Sequence, residues 1–410
     1  MTSSVVVELL GGLAMFALVA SLIQALPRRT IVRSRRIVPI SAMLAVVAAA
    51  LVATGALDAP VTGARALDTG LVGAVVFAAG LGGAVTNRWV LAAIALVPAF
   101  APGSQASHGV GAMAVGVAFA VTAVGMRLPP IKAVAGTLVG FGLLVEVGRG
   151  PGGALACACG LLLVLVATAS RVSPRARREI LLGSAGVVLF AALAAGIYAR
   201  TALQARRHLD QAVIDARLAL DAATGPTPSE ALAGFQRAGA EFSSASSRLE
   251  SPWAKPVTVV PGAAQNARAL STAARVGRAL ASAGADAVVA RTSAHLHVSG
   301  SAVNVGALES LREPAARAEA SLRAGHARLD HVRSPLLLPI VDRNLRTLLD
   351  RIDRADHQAT TLEDALAVLP GLMGSTTPHR YFLAIQNPAE SRATGGIIGN
   401  FALVTVTNGH

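Results

Sequence analysis

Charge and aromatic rings are what this sequence has least of. Only 14% of its 410 residues are charged and 3% are aromatic, against roughly 25% charged in an average soluble domain. The shortage is local: residues 1–199 hold 14 Lys+Arg and 5 Asp+Glu, whereas residues 200–410 hold 22 and 18. Lysine is nearly absent, two residues against 34 arginines, and Ala, Gly and Val dominate, a skew that fits GC-rich coding better than any mechanism. A net charge of +13 raises nucleic acid as a partner. The excess lies in short loops between apolar runs, without a basic face interleaved with aromatics, so no nucleic-acid partner is expected. Cysteine is scarce too. Cys157 and Cys159 sit inside the apolar run ALACACGLLLVLV, where they read as small membrane-core residues; no disulfide framework is available and no metal set is completed. No metal and no cofactor are expected.

Long hydrophobic runs fill the place of the missing charge. Eight apolar segments lie at about residues 5–26, 37–57, 70–86, 89–102, 109–126, 133–147, 153–170 and 180–199. Most approach the roughly 20 residues that a spanning helix requires, the fourth and sixth being short. Successive connections carry Arg28, Arg29, Arg33, Arg35 and Arg36, then Arg65, then Arg88, then none, then Arg127 and Lys132, then Arg149, then Arg171, Arg175, Arg177 and Arg178. Alternate loops therefore hold 12 and 2 basic residues. Cytoplasmic loops retain Lys and Arg, which predicts a multi-pass plasma-membrane protein with its N-terminus and everything after Tyr198 outside. A cleaved signal peptide fits residues 5–26 poorly, since the positive charges follow the apolar run.

The membrane half looks chemically quiet. Ionisable residues deep in a bilayer normally mark transport pathways; Glu8 lies near an outer end, and Glu146 stands three residues before Arg149, a spacing suited to an interfacial ion pair. Transport is disfavoured. Acidic cytoplasmic loops of the kind that hold magnesium and diphosphate are also lacking. Gly136 and Gly140 have GxxxG spacing, which serves packing within one chain as well as dimerisation.

From Arg200 the pattern becomes helical and polar, with a helix to about residue 223 continuing out of the last span. The linker from Thr224 to Ser229 follows, then a seam of Leu232, Phe235, Gly239, Phe242, Ser246 and Leu249 ending at Pro252-Trp253. After Pro261-Gly262 an Ala-rich helix is expected to about Gly284. The β-branched patch 285–303 reads as a strand that places His295 and His297 on one face. Two long seams, Leu308 to Leu336 and Val341 to Leu369, are separated by Ser334-Pro335 and Pro339, which predicts an antiparallel helical hairpin.

The last segment is the most distinctive. Leu369-Pro370-Gly371, then Arg380-Tyr381-Phe382-Leu383, precede the series Gln386-Asn387-Pro388-Ala389-Glu390-Ser391-Arg392-Ala393-Thr394-Gly395-Gly396. Phe382 to Ile385 reads as a buried strand, and Phe401 to Val406 alternates as a strand before the turn signal Asn408-Gly409. No return strand follows, so the chain reads as the front part of a longer protein. The series resembles the start of the extracytoplasmic domain of unknown function 4012, found in Gram-positive and especially actinobacterial membrane proteins, with a helical lead-in over about 200–370. The resemblance implies a cell-envelope location and a link to surface polysaccharide, with no established reaction. It departs from the family in its polytopic bundle, where a single anchor is usual.

The expected architecture is mainly α: a membrane bundle of about eight helices over 1–199, an extracytoplasmic helical region over 200–370, and the start of an α/β domain over 371–410. The candidate ligand-binding residues are Asn387, Glu390, Arg392, Thr394, Gly395 and Gly396. Amides of a Gly-Gly pair beside one guanidinium suit a phosphate or carboxylate, while Asn387 and Glu390 can orient Arg392 or meet sugar hydroxyls. The same residues also serve as turn caps and a local ion pair. Two functions follow: an envelope protein that binds a glycopolymer or an assembly partner, or an enzyme that transfers or trims polyprenyl-linked polysaccharide. No catalytic residue is placed by the sequence.

Overall fold

The structure is a computed structural model that describes residues 37–54, 62, 65–96, 129–147, 151–225, 227–294, 298–299, 302–387 and 397–410. The expected apolar segments at 5–26 and 109–126 lie outside the described residues. The chain is mainly helical, with a small two-stranded sheet at its C-terminal end. Two compact units are formed. One contains the described residues up to Leu203 together with Arg248–Ser271 and Val332–Asp342; the other contains Gln204–Ser247, Thr272–His331 and Arg343–His410.

The first unit is built on helices α1 (Ile37–Ala53), α2 (Arg65–Val85), α3 (Arg88–Leu96), α4 (Pro129–Val147) and α5 (Pro151–Ala169), followed by α6 (Pro174–Thr224). Two stretches, Leu67–Val85 and the 51-residue Pro174–Thr224, are long and apolar enough to cross a membrane; α1, Pro129–Val145 and Cys157–Ala169 are shorter apolar helices. The α2 stretch is half buried, and the apolar part of α6 is largely exposed, with Leu182, Val188 and Leu189 each about 60% or more accessible. Small residues bring the helices together. A Cβ on Gly136 would stand 2.4 Å from the carbonyl oxygen of Ala79, and one on Gly140 would stand 2.5 Å from the Ala79 Cβ. The GxxxG face of α4 is therefore used against α2 of the same chain. Val72, Val76, Leu91, Leu143 and Leu144 complete this core, and Leu336, from the connection between the two long seams, packs into it.

The second unit takes the tail of α6 with α7 (Pro228–Leu249), most of α8 (Ala263–Ser293), α9 (Val305–His331) and α10 (Pro339–Leu372). The α6 helix runs without a break through Arg200, as the continuing pattern predicts, and the composition boundary at 199 falls inside it. Alanine spaces its packing face: Ala205, Ala212 and Ala219 are buried, as are Ala231, Ala238 and Ala245 on α7. Between α7 and α8 the rings of Phe235 and Phe242 lie over Gly284 and Gly277. A shift of seven residues forward on one helix matches seven backward on the other, so the pair is antiparallel. The α9–α10 hairpin is antiparallel by the same test, with His326 opposite Asp353 and Glu319 opposite Thr360. Ser334-Pro335 and Pro339 make the break between them as expected.

Two expectations need correction here. The Ala-rich helix does not stop near Gly284 but runs to Ser293, because Val288 is buried in a cluster with Phe235 and Ala231 and alanine favours the helix. Among the described residues of the strand expected over 285–303, Val298–Ser299 (β1) pairs with Ala302–Val303 (β2), while His295 and His297 lie outside the described residues.

At the C-terminal end, β3 (His379–Asn387) pairs antiparallel with β4 (Ile397–Val406), Phe382 facing Leu403 and Ala384 facing Phe401, with an irregularity between Ile385 and Gln386. Asn408 and Gly409 both adopt positive φ, 46° and 82°, and Thr407 and His410 exchange two backbone hydrogen bonds of 3.0 Å. This closes the two-residue hairpin turn that Asn-Gly predicts. The turn docks on the end of α10: Asn408 N–H donates to the Gly374 carbonyl at 2.9 Å and Gly409 N–H to the Met373 carbonyl at 2.8 Å. Gly374 also has positive φ, 70°, and a Cβ there would stand 2.4 Å from the Val406 carbonyl oxygen. Gly374→Ala is therefore expected to lower stability by about 1–3 kcal/mol through backbone strain and clash. Gly371→Ala, in open space on α10, is expected to be neutral or stabilising by up to about 1 kcal/mol. Thermal unfolding of the two full-length variants checks the pair, and equal midpoints would refute the docking role of Gly374.

Candidate functional site

Of the residues singled out by sequence, one ends β3 and the other five belong to the stretch 388–396 between β3 and β4. Asn387 ends β3, opposite Ile397 in the register. Glu390, Arg392, Thr394, Gly395 and Gly396 lie outside the described residues. The framework around them is defined. Tyr381 Oη donates a short hydrogen bond to the Leu372 carbonyl, fastening β3 to the end of α10, and the Phe382 and Phe401 rings stack across the ribbon with centroids 5.5 Å apart. The expectation that Phe382 to Ile385 is buried does not hold. Phe382 is 62% exposed and Leu383, Ile385 and Leu403 are similarly open, because a two-stranded ribbon covers neither of its faces with a second layer.

Sequence reading passed over two polar clusters. The first belongs to the first unit. Thr62 donates from both its amide N–H and its hydroxyl to Asp68 Oδ1, at 2.6 Å each, and Asp68 is only 3% exposed. Arg268 feels the charge of Asp68, which favours its cationic form, while burial of the guanidinium acts more strongly and lowers its pKa. Next to it, Asn266 is a bracket for the 332–342 connection: its Nδ2 donates to the Leu336 carbonyl at 3.1 Å, and Leu338 N–H donates to its Oδ1 at 2.8 Å. Tyr198 Oη reaches the Ala267 carbonyl at 3.4 Å. Thr62 lies only six residues from Asp68, whereas Arg268 is distant in the chain, beyond the reach of any local pattern.

The second cluster lies between α9 and α10. Glu319, 5% exposed, accepts from the Thr360 hydroxyl at 2.7 Å and from Arg323, whose Nε stands 3.7 Å from Asp356 Oδ1. His326 Nε2 lies 3.1 Å from Asp353 Oδ1. Glu319 and Glu363 share a side-chain hydrogen bond, which one proton must supply. That bond holds Glu319 below the usual carboxylate range, helped by Thr360 and Arg323, and raises Glu363. The arrangement ties one helix register of the α9–α10 hairpin. Among the described residues, no three His, Cys, Asp or Glu side chains are grouped to hold a metal ion.

The pair makes stability depend on pH in two directions. Glu363, raised in the folded chain, contributes stability while protonated and loses it as pH climbs through its folded pKa; Glu319, lowered, loses its contribution as pH falls through its own. The thermal midpoint is expected to decline on both sides of the acidic window in which one proton is held. Glu363→Gln replaces that proton with an amide donor and is expected to flatten the alkaline decline. Melting curves between pH 4 and pH 8 check this, and an unchanged slope in the variant would exclude the shared proton.

Neither the comparison with curated proteins nor that with solved structures returned a match. Residues 376–410, which hold β3, β4 and the Asn408-Gly409 turn, match the model of the family described as Protein of unknown function (DUF4012), in agreement with the resemblance carried by the NPAESRATGG series.

Proposed function

We propose that this chain is a multi-pass envelope protein that displays an extracytoplasmic helical module and a β-ribbon, and that the ribbon end binds an envelope glycopolymer or an assembly partner. The observation that carries the reading is α6. Its residues 181–197 turn large apolar side chains outward, as a lipid-facing helix does, and from Arg200 the same helix becomes polar and enters a water-compatible array. The remaining apolar helices, the alternation of 12 and 2 basic loop residues and the exposed Trp253, an amphipathic ring suited to a bilayer interface, support about eight spans with the N-terminus and the region after Tyr198 outside.

The ligand class rests on the residues of the β3–β4 connection. Arg392 with the Gly395-Gly396 amides suits the phosphate or carboxylate of an envelope polymer, and Asn387, Glu390 and Thr394 supply hydrogen-bonding groups for sugar hydroxyls. Loss of a charge-assisted bond costs roughly 1.5–3 kcal/mol, so Arg392→Ala in the full-length chain, held in lipid nanodiscs, is expected to weaken binding of polyprenyl-diphosphate-linked glycan by about 10- to 100-fold. Equal binding by the variant would remove Arg392 from the site, and no binding by the parent chain would remove the glycan reading. Sidedness has its own check. A cysteine placed at Ser247 is expected to react with a membrane-impermeant maleimide in intact cells, and reaction only after permeabilisation would overturn the topology.

A further inference from the structure

From Pro335 to Pro339 the connection between α9 and α10 leaves no backbone donor for water. The two prolines have no N–H. Leu336 N–H donates to Ser334 Oγ at 3.2 Å, Leu337 N–H to the Ser334 carbonyl at 3.2 Å and Leu338 N–H to Asn266 Oδ1 at 2.8 Å. The Leu336 and Leu338 carbonyls are engaged as well, by Asn266 Nδ2 at 3.1 Å and by Asp342 N–H at 2.9 Å. A loop in water has no need of such satisfaction, since solvent serves any group left over; where water is scarce, each unmet group is costly. The same stretch is apolar from Pro335 to Val341, and it turns Leu338 and Ile340 outward, 57% and 58% exposed.

The attachments of the connection, all within the first unit, fix where it sits. Leu336 packs into the core of the helical bundle. Asn266, which brackets Leu336 and Leu338, is followed by Ala267, whose carbonyl meets Tyr198 Oη, and by Arg268, which feels the charge of Asp68. Tyr198 stands one residue beyond the exposed Ile197 of α6, and Asp68 lies in the first turn of α2. The alternation of loop charges assigns both of these helix ends to the outer side. We propose that Leu338 and Ile340 dip into the outer leaflet of the bilayer, so that the α9–α10 connection is a lipid-binding site beside the last span. The proposal rests on the membrane reading above. Lipid is the occupant selected by two observations: the connection is bonded to the rim where the apolar surface of α6 ends, and its backbone is satisfied as a medium poor in hydrogen-bonding partners requires.

The test uses the full chain in vesicles of phosphatidylcholine and phosphatidylglycerol, with Cys157 and Cys159 replaced by alanine and one cysteine carrying a nitrobenzoxadiazole fluorophore. Three positions are compared: Leu338→Cys, Leu189→Cys on the apolar part of α6, and Thr361→Cys, an exposed residue of α10 in the second unit. Lipids spin-labelled near the glycerol end of the acyl chain are expected to quench the probe at 338 about threefold more than at 361, and aqueous iodide is expected to show the opposite order. Equal quenching at 338 and 361 overturns the proposal, and so does a probe at 338 that neither quencher reaches, which would mean a protein cover. Leu189→Cys separates the two readings. Lipid quenching at 189 without quenching at 338 removes the leaflet contact and keeps the span; quenching at 338 without quenching at 189 keeps the contact and removes the span.

Discussion

An unbroken α6 is the constraint on which much else depends. In hydrocarbon a backbone can satisfy its polar groups only within its own helix or a closed sheet, and α6, long and apolar enough to cross a membrane, is helical to the end of its apolar part. Here it remains helical well past that point. The same 51-residue helix that carries exposed leucines and valines at 181–197 carries Ala205, Ala212 and Ala219 as a packing face. The helix ends at Thr224, and Gly225 N–H bonds back to the Ala222 carbonyl. Helix α7 then meets α6 through small residues, with Gly234 against Ala219 and His208 Nδ1 2.6 Å from Glu241 Oε2.

Polar pairs hold register where apolar contacts are too uniform to do so. Alanine faces repeating every seven residues can slide by one repeat with little change in buried area. Pairs such as His208 with Glu241, His326 with Asp353 and Glu319 with Thr360 cannot, because a slip of one seven-residue repeat moves an acceptor about 10 Å from its donor. Glu319 shows the strongest commitment. It is almost fully buried, yet each of its partners sits on α9 or α10, so this carboxylate makes sense in one alignment of the hairpin only.

Much of the helical plan was legible in the sequence, and the reasons are local. The breaks at Pro252, Ser334-Pro335 and Pro339 follow from proline's missing donor and its effect on the preceding residue, and the Asn408-Gly409 turn follows from the positive φ both residues tolerate. What could not be read depends on contacts distant in sequence. The patch at 285–293 looks β-prone by residue type and is helical because Val288 meets α7. Asp68 is buried with Thr62 and near Arg268, a partner no local pattern announces. Phe382 looked like a core strand residue and stands open, since alternation records which residues share a face and not whether that face is covered. For the ligand site, sequence supplied residue types and one strand end; Asn387 is where the described geometry meets it.

The interior of this protein also reverses the ordinary ranking of harmful substitutions. In a core of leucines and phenylalanines the costly change removes volume and leaves a void. Between helices whose backbones meet over Ala79, Gly136, Ala205, Ala212, Ala231 and Ala238, there is scarcely a side chain to lose. The expensive event there is growth: one added methyl must push two rigid cylinders apart along their whole line of contact. Even glycine to alanine is such a growth at Gly136, where the added Cβ would stand 2.4 Å from a backbone oxygen.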